Sequence, residues 1–219
     1  MIDVVAVFFL RDVWQTKYNA FIVTMMLKSE DGVMKHRGTI RLETERLVLR
    51  RHTLDDAGAV FSNWASDPEV TRYLKWSLHE SLNVSREWCM LRVASHANDD
   101  DYNWLIVLKS SGEPIGSIGV VNLDEKIESA TVGYCIGKAW WSQGYASEAL
   151  TSVVKFLFEE VGLNRVEARY DPRNVNSGKV MAKAGLAYEG THRQADWNNQ
   201  GVCDCVVHAL TAEDYKLLS

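Results

Sequence analysis

Three groups of residues in this sequence have the types and spacing that could do chemistry. The first is the run Gly137-Lys-Ala-Trp-Trp-Ser-Gln-Gly-Tyr-Ala146. It stands between an extended apolar run ending at Ile136 and a segment of helical periodicity. A strand that turns through glycine into a helix start leaves backbone N–H groups free at the positive end of the helix dipole. That is the chemistry of an anion site. Gly144 lets the backbone approach a phosphate, and Ala146 is too small to block it. The same turn also occurs in many proteins that bind nothing there, so the geometry leaves both readings open. The spacing of a Walker loop is absent, as is the glycine fingerprint of a dinucleotide fold.

The second group is Asn174-x-x-Ser177 at the start of a later helix, where Asn is a natural cap and the serine hydroxyl faces the first turn. The third is a scatter of carboxylates, Glu128, Glu167, Asp171, Asp196 and Asp204. Any of them could take a proton directly or through water, and most read as ordinary surface charges. Cys203, Cys205 and His208 invite a metal reading, but Cys-x-Cys on a strand puts both thiols on one face and leaves no fourth ligand. They read as buried strand residues, and no metal is expected. Cys135 likewise has no His-and-acid arrangement beside it, so a cysteine nucleophile is not expected.

The elements that must hold these groups alternate between helix and strand. A strand is expected over 47–51, a helix over 57–64 capped by Thr53 with Asp56, and a second helix over 81–97. Strands follow at 104–109, 114–123 and 129–136, the first two joined by a hairpin turn at Ser110-Ser-Gly-Glu113. Leu150, Val153, Val154, Leu157, Phe158 and Val161 form one helical face that Gly162 stops. A strand at 165–170, a helix at 174–184, a hairpin turning at Asn198-Asn-Gln-Gly201, and a capping pair Thr211 and Asp214 complete the chain. The expected class is α/β (α+β) with a mostly antiparallel mixed sheet.

The 219 residues, 47% of them apolar, suffice for one core without disulfides. A net charge of −5 with mixed signs gives no reason to expect nucleic acid. Arg46, Arg50 and Arg51 read as one face of a solvated strand. Apolar runs at 4–10 and 20–27 are interrupted and too short to span a bilayer, and Asp3 stands where a leader would carry positive charge, so no membrane role is expected. Four cysteines without a leader suit a reducing, cytoplasmic setting. Residues 1–38 read as an extension and 39–219 as the functional domain, because Met34 directly precedes what reads as a domain start.

The stretch Tyr134-Cys-Ile-Gly-Lys-Ala-Trp-Trp-Ser-Gln-Gly-Tyr-Ala-Ser-Glu-Ala-Leu150 resembles the acetyl-coenzyme A motif of the GNAT superfamily of N-acetyltransferases. It is most similar to the branch of the RimJ and RimL acetyltransferases of ribosomal-protein N-termini. Residues 41–50, Gly112-Glu-Pro-Ile-Gly-Ser-Ile-Gly119 and 171–185 support the resemblance in family order. It departs from the family's Gln/Arg-x-x-Gly-x-Gly/Ala pattern only at Trp141, the first position.

The resemblance implies a GNAT sheet with helices on both faces and acetyl-CoA as acyl donor. It implies that Trp141, Ser142, Gln143, Gly144, Tyr145, Ala146 and Ser147 hold the pyrophosphate, and that Cys135, Ile136 and Gly137 pair with the pantetheine arm. Asn174 and Ser177 would contact that arm, with Ser177 as proton donor near the sulfur. His192, Arg193, Asp196 and Trp197 on the last hairpin are the acceptor-side candidates; aromatics such as Trp64, Trp76 and Trp88 lie where the family builds the acceptor groove, but most of them read as core or subunit contacts. A homodimer is one assembly the family uses.

RimL-like relatives carry a glutamate where this chain has Thr131, which leaves Glu128 as the catalytic carboxylate nearest in sequence. An α-amine, with a pKa near 8, is already neutral in roughly a tenth of molecules at pH 7, against about 0.04% for lysine. The missing carboxylate therefore points to a peptide N-terminus as acceptor. A small amine such as a polyamine or aminoglycoside-like molecule is the alternative within the class, and a non-catalytic acyl-CoA-binding module the alternative outside it.

Overall fold

The computed structural model describes residues 34–218, so the apolar runs at 4–10 and 20–27 lie outside the described residues. Residues from Lys35 onward form one compact unit. Residues 35–38 join it through Lys35 N–H to the Val161 carbonyl at 2.8 Å and Gly38 N–H to the Asp99 carbonyl at 2.7 Å. No helix among the described residues is long and apolar enough to cross a membrane.

Among the described residues eight strands form one sheet in the order β1-β2-β3-β4-β5-β6-β8-β7. They are β1 (Leu42–Glu43), β2 (Leu47–Arg50), β3 (Asn103–Leu108), β4 (Pro114–Asp124), β5 (Ser129–Ile136), β6 (Arg165–Tyr170), β7 (Ala187–Asn198) and β8 (Gly201–Thr211). Every neighbouring pair is antiparallel except β5 with β6. The helices are α1 (Ala57–Val60), α2 (Pro68–Thr71), α3 (Leu82–Ser95), α4 (Tyr145–Phe156), α5 (Val175–Lys183) and α6 (Ala212–Leu218).

The central strand β3 is buried on both faces, and its period of two divides the core. Leu105 and Val107 pack with Val60, Trp64, Ala65 and Cys89 on the face covered by α1 and α3. Trp104 points to the opposite face, where its ring meets Phe156 of α4 edge-on at 5.6 Å. Each such large side chain stabilises the fold by about 1.5–3 kcal/mol on area alone. Helices therefore cover both faces of a mostly antiparallel sheet, as the sequence predicts.

The differences are local. The predicted helix 57–64 is α1 followed by a wider π turn, Phe61–Ala65, that ends where Ser66 N–H and Oγ both donate to the Phe61 carbonyl. The helix α2 was not foreseen. It starts at Pro68 behind Asp67, whose carboxylate accepts from Glu69 N–H at 2.8 Å, a strong cap with proline in the first turn. The arginines read as a solvated strand face are engaged instead. Arg50 holds Asp56 through two hydrogen bonds of 2.8 and 2.7 Å, Arg51 donates to the Thr39 carbonyl, and Arg46 serves the site described next.

Candidate active site

The parallel pair β5–β6 is short. Ser129, Ala130 and Thr131 pair with Arg165, Val166 and Glu167, and the pairing stops there. Beyond this point β6 stays with β8 as far as Tyr170, while β5 stays with β4 up to Ile136. The sheet splits into a V, leaving the β6-facing edge of 132–136 without a ladder partner among the described residues. An unpaired strand edge of this kind can receive an extended chain of donors and acceptors. The cleft that opens there has a volume of about 360 Å³ and runs from Tyr134, Cys135 and Ile136 past the turn before α4 to the first turn of α5.

The turn is built under strain and held from outside. Ser142 (φ 60°) and Gly144 (φ 84°) both take left-handed backbone. For Ser142 this costs on the order of 1 kcal/mol, the kind of strain that persists where the surroundings over-determine it. Trp141 donates its indole N–H to the Ile136 carbonyl at 2.7 Å, and the Gln143 side chain donates to the Ala139 carbonyl at 3.0 Å. Both tie the turn back on itself.

Arg46 braces it from β2. It donates to the Gln143 carbonyl at 3.0 Å, to Glu148 at 2.7 Å, and lies 4.4 Å from the centre of the Tyr145 ring. Glu148 also accepts from Thr44 Oγ1 at 2.5 Å. Burial opposes its ionisation, but these hydrogen bonds hold the carboxyl below its usual range. The one acidic residue of the helix's first turn is thereby neutralised beside the turn, leaving the N–H groups at the start of α4 as a positive end facing the cleft. Gly137 is required for packing, since a Cβ there would collide with the Asn63 carbonyl oxygen.

Ser142, Gly144, Tyr145, Ala146, Ser147 and Trp141 all line the cleft, as do Asn174 and Ser177 from α5. Asn174 stands at the cap position of α5, yet its side chain makes no capping hydrogen bond. Tyr134, to which no role was assigned from the sequence, meets Ser177 across the V. Its hydroxyl lies 2.9 Å from Ser177 Oγ and donates to the Ser177 carbonyl at 3.0 Å. Burial pushes the phenol well above its usual pKa, against the opposing bond from Ser177, so it stays protonated. Gly178 beside it leaves room for Tyr170, whose hydroxyl a Cβ there would meet. Cys135 is buried with its thiol 3.4 Å from Ser117 Oγ, and burial pushes its pKa up, away from a nucleophile's range.

Glu128 is not part of this constellation. It occupies the turn before β5, at the end of the strand opposite the cleft. Six residue steps along the extended chain separate it from Tyr134, about 20 Å at the rise of a strand. The carboxylate near the point of the V is Glu167, buried and facing Thr131, whose hydroxyl donates to it at 3.1 Å. Arg165 at 3.0 Å and Arg169 at 2.7 Å complete its surroundings. Burial raises its pKa and these partners outweigh it, so the group stays ionised. Asp171 is also buried, bound by Arg173 and by Asn198. Neither is an ordinary surface charge, the reading that the sequence offers for most of these carboxylates.

Of the acceptor-side candidates, Asp196 alone is tied to the cleft's rim. It pairs with Lys75 at 2.6 Å, next to cleft-lining Leu74, and Asn199 at the hairpin tip donates to the Thr71 and Trp76 carbonyls. His192, Arg193 and Trp197 lie exposed along β7 and do not line the cleft. Trp64 is core, while Trp76 and Trp88 pack partly buried against it. Cys203 and Cys205 are buried strand thiols, and His208 hydrogen-bonds the Leu186 carbonyl at 3.1 Å. No cluster of three or more metal-capable side chains occurs among the described residues.

The family model of the acetyltransferase (GNAT) domain matches residues 46–187. The uncharacterized N-acetyltransferase YoaA of Bacillus subtilis is 34% identical over 169 residues, 77% of this chain and 95% of its own length. The ribosomal protein uS5-alanine N-acetyltransferase of Escherichia coli is 25% identical over 194 residues, covering 80% of this chain and 93% of its own. The crystal structure of a GNAT-family acetyltransferase from Bacillus anthracis has the same fold, with a TM-score of 0.70 at 24% identity over 80% of this chain and 99% of that one. The matched region takes in the split sheet, the strained turn and the Tyr134–Ser177 pair, and the chain belongs to the GNAT family of acetyltransferases.

Proposed function

We propose that this acetyltransferase moves an acetyl group from acetyl-CoA to a primary amine by direct attack, and that the amine is the N-terminal α-amine of a protein. The observation that carries the donor half is the V between β5 and β6 with an anion turn at its mouth and the Tyr134–Ser177 pair inside it. Residues 142–147 offer backbone N–H groups suited to a pyrophosphate. The free edge at 135–137 and the uncapped Asn174 side chain suit an amide-bearing arm. Bound there, acetyl-CoA supplies an activated acyl group as a thioester.

The remaining chemistry falls to side chains. Tyr134 and Ser177 hold a proton at hydroxyls 2.9 Å apart, where a departing thiolate needs one. Glu167 takes the acceptor side. As an ionised, buried carboxylate beside Thr131, it receives the amine's proton through water. Its two arginine partners make it a weak base. A weak base serves an α-amine, a tenth of which is neutral at pH 7, far better than a lysine. The E. coli relative named for uS5-alanine acetylation supports the same acceptor class.

The test is release of free thiol from acetyl-CoA with a panel of peptides bearing free N-termini, N-blocked lysine peptides, polyamines and aminoglycosides. Mass spectrometry then locates the acetyl group. Modification of the α-nitrogen is expected. Turnover confined to lysine side chains or to small amines would overturn the acceptor, and binding without release by any amine would make the protein a non-catalytic module.

A further inference from the structure

We infer that Lys179 and Lys183 form a second phosphate site in the cleft, one that reads the ribose 3′-phosphate of the coenzyme A donor. The inference rests on the proposed donor and adds to it a residue-level basis for selectivity.

Asn176, Lys179, Val180 and Lys183 recur at i, i+3, i+4 and i+7, so they share one face of α5, and all four line the cleft. Among the described residues neither lysine enters an ion pair. Other cations near the cleft are already engaged: Arg46 by Glu148, Lys75 by Asp196, Lys138 by Glu69 and Arg173 by Asp171. No aspartate or glutamate lines the cleft. In a chain of net charge −5, a pocket with two cations and no acid is a local arrangement, not a reflection of overall charge.

Coenzyme A carries phosphate in two chemical forms. Its pyrophosphate is a diester whose oxygens suit the backbone N–H groups of the turn before α4. Its 3′-phosphate is a monoester near a dianion at neutral pH, and two ammonium point charges are the better match for it. The helix rise puts Lys183 about 9 Å beyond Ser177 along α5, leading away from the thioester end of the cleft. Turn and lysine pair thus divide the phosphates between them.

Calorimetric titration of coenzyme A and of 3′-dephospho-coenzyme A into wild type and the K179Q/K183Q variant tests this. Wild type should bind coenzyme A about five- to tenfold more tightly at low salt, with the preference shrinking as salt rises. The double variant should bind both ligands alike, at the strength wild type shows for the dephospho form. Equal weakening of both ligands would assign the lysines to the pyrophosphate and overturn the inference. So would an undiminished preference in the variant. Failure of wild type to bind either ligand would instead remove the donor assignment itself, a separate signature.

Discussion

Replacing Tyr134 by phenylalanine removes one oxygen from the centre of the cleft and leaves the ring in place. That oxygen makes two hydrogen bonds, to Ser177 Oγ at 2.9 Å and to the Ser177 carbonyl at 3.0 Å. Their net worth to folding is about 1–2 kcal/mol together, so Y134F should fold with a modest loss of stability. Proton delivery to a departing thiolate is worth far more, about a hundredfold to ten-thousandfold in rate. The expected result is a fall in kcat of at least a hundredfold in a thiol-release assay. KM for acetyl-CoA should stay within about threefold, since the turn and the strand edge are untouched. S177A should lose less, because the phenol remains, and Y134F/S177A should be no worse than Y134F if the two hydroxyls act as one unit. A Y134F enzyme with kcat within threefold of wild type would refute the assignment of the leaving-group proton to this pair.

Two further perturbations follow. E167Q keeps the shape of the side chain and removes the charge that faces Thr131. It should lower kcat/KM for an N-terminal peptide by about ten- to a hundredfold and alter the pH–rate profile, and unchanged kinetics would exclude the group. His52 is buried, and burial followed by the neighbouring His96 depresses its pKa from 6.5 to about 3. The unfolded chain gains a proton below pH 6.5 and the folded chain does not until pH 3, so stability is full above 6.5 and is lost as pH falls through this window. The loss by pH 5 is about 2 kcal/mol from this group. Neither ring nitrogen has a hydrogen-bond partner, so H52F should fold at neutral pH and show a flatter urea-measured stability between pH 6.5 and 5. An equal slope in H52F would contradict this.

The sequence made legible whatever repeats with a local period or depends on one special residue. The buried face of α4 and the left-handed Gly144 before a helix are of this kind. Ser177 was reachable through the family resemblance, since its place in the first turn of a helix reads by itself as capping. Tyr134 was not, because its role depends on a partner 43 residues away that only the split sheet brings near. Arg46 meets Glu148 across 102 residues and looked like a solvated strand position for the same reason. Glu128 was favoured by closeness in sequence, which on an extended strand means distance in space. Glu167 needed the β5–β6 register, which places it opposite Thr131.

The most direct measurement is amine-dependent thiol release from acetyl-CoA by wild type and by G144V. Gly144 sits at φ 84°, where a β-branched residue is strained, and a Cβ there already comes within 3.4 Å of Arg46 Nη2. Wild type should release thiol in proportion to added N-terminal peptide. G144V, with its far-UV circular dichroism and core intact, should show KM for acetyl-CoA raised at least tenfold. The same KM in G144V as in wild type, or release of thiol by wild type that does not depend on an amine, would contradict an acetyl donor held at this turn.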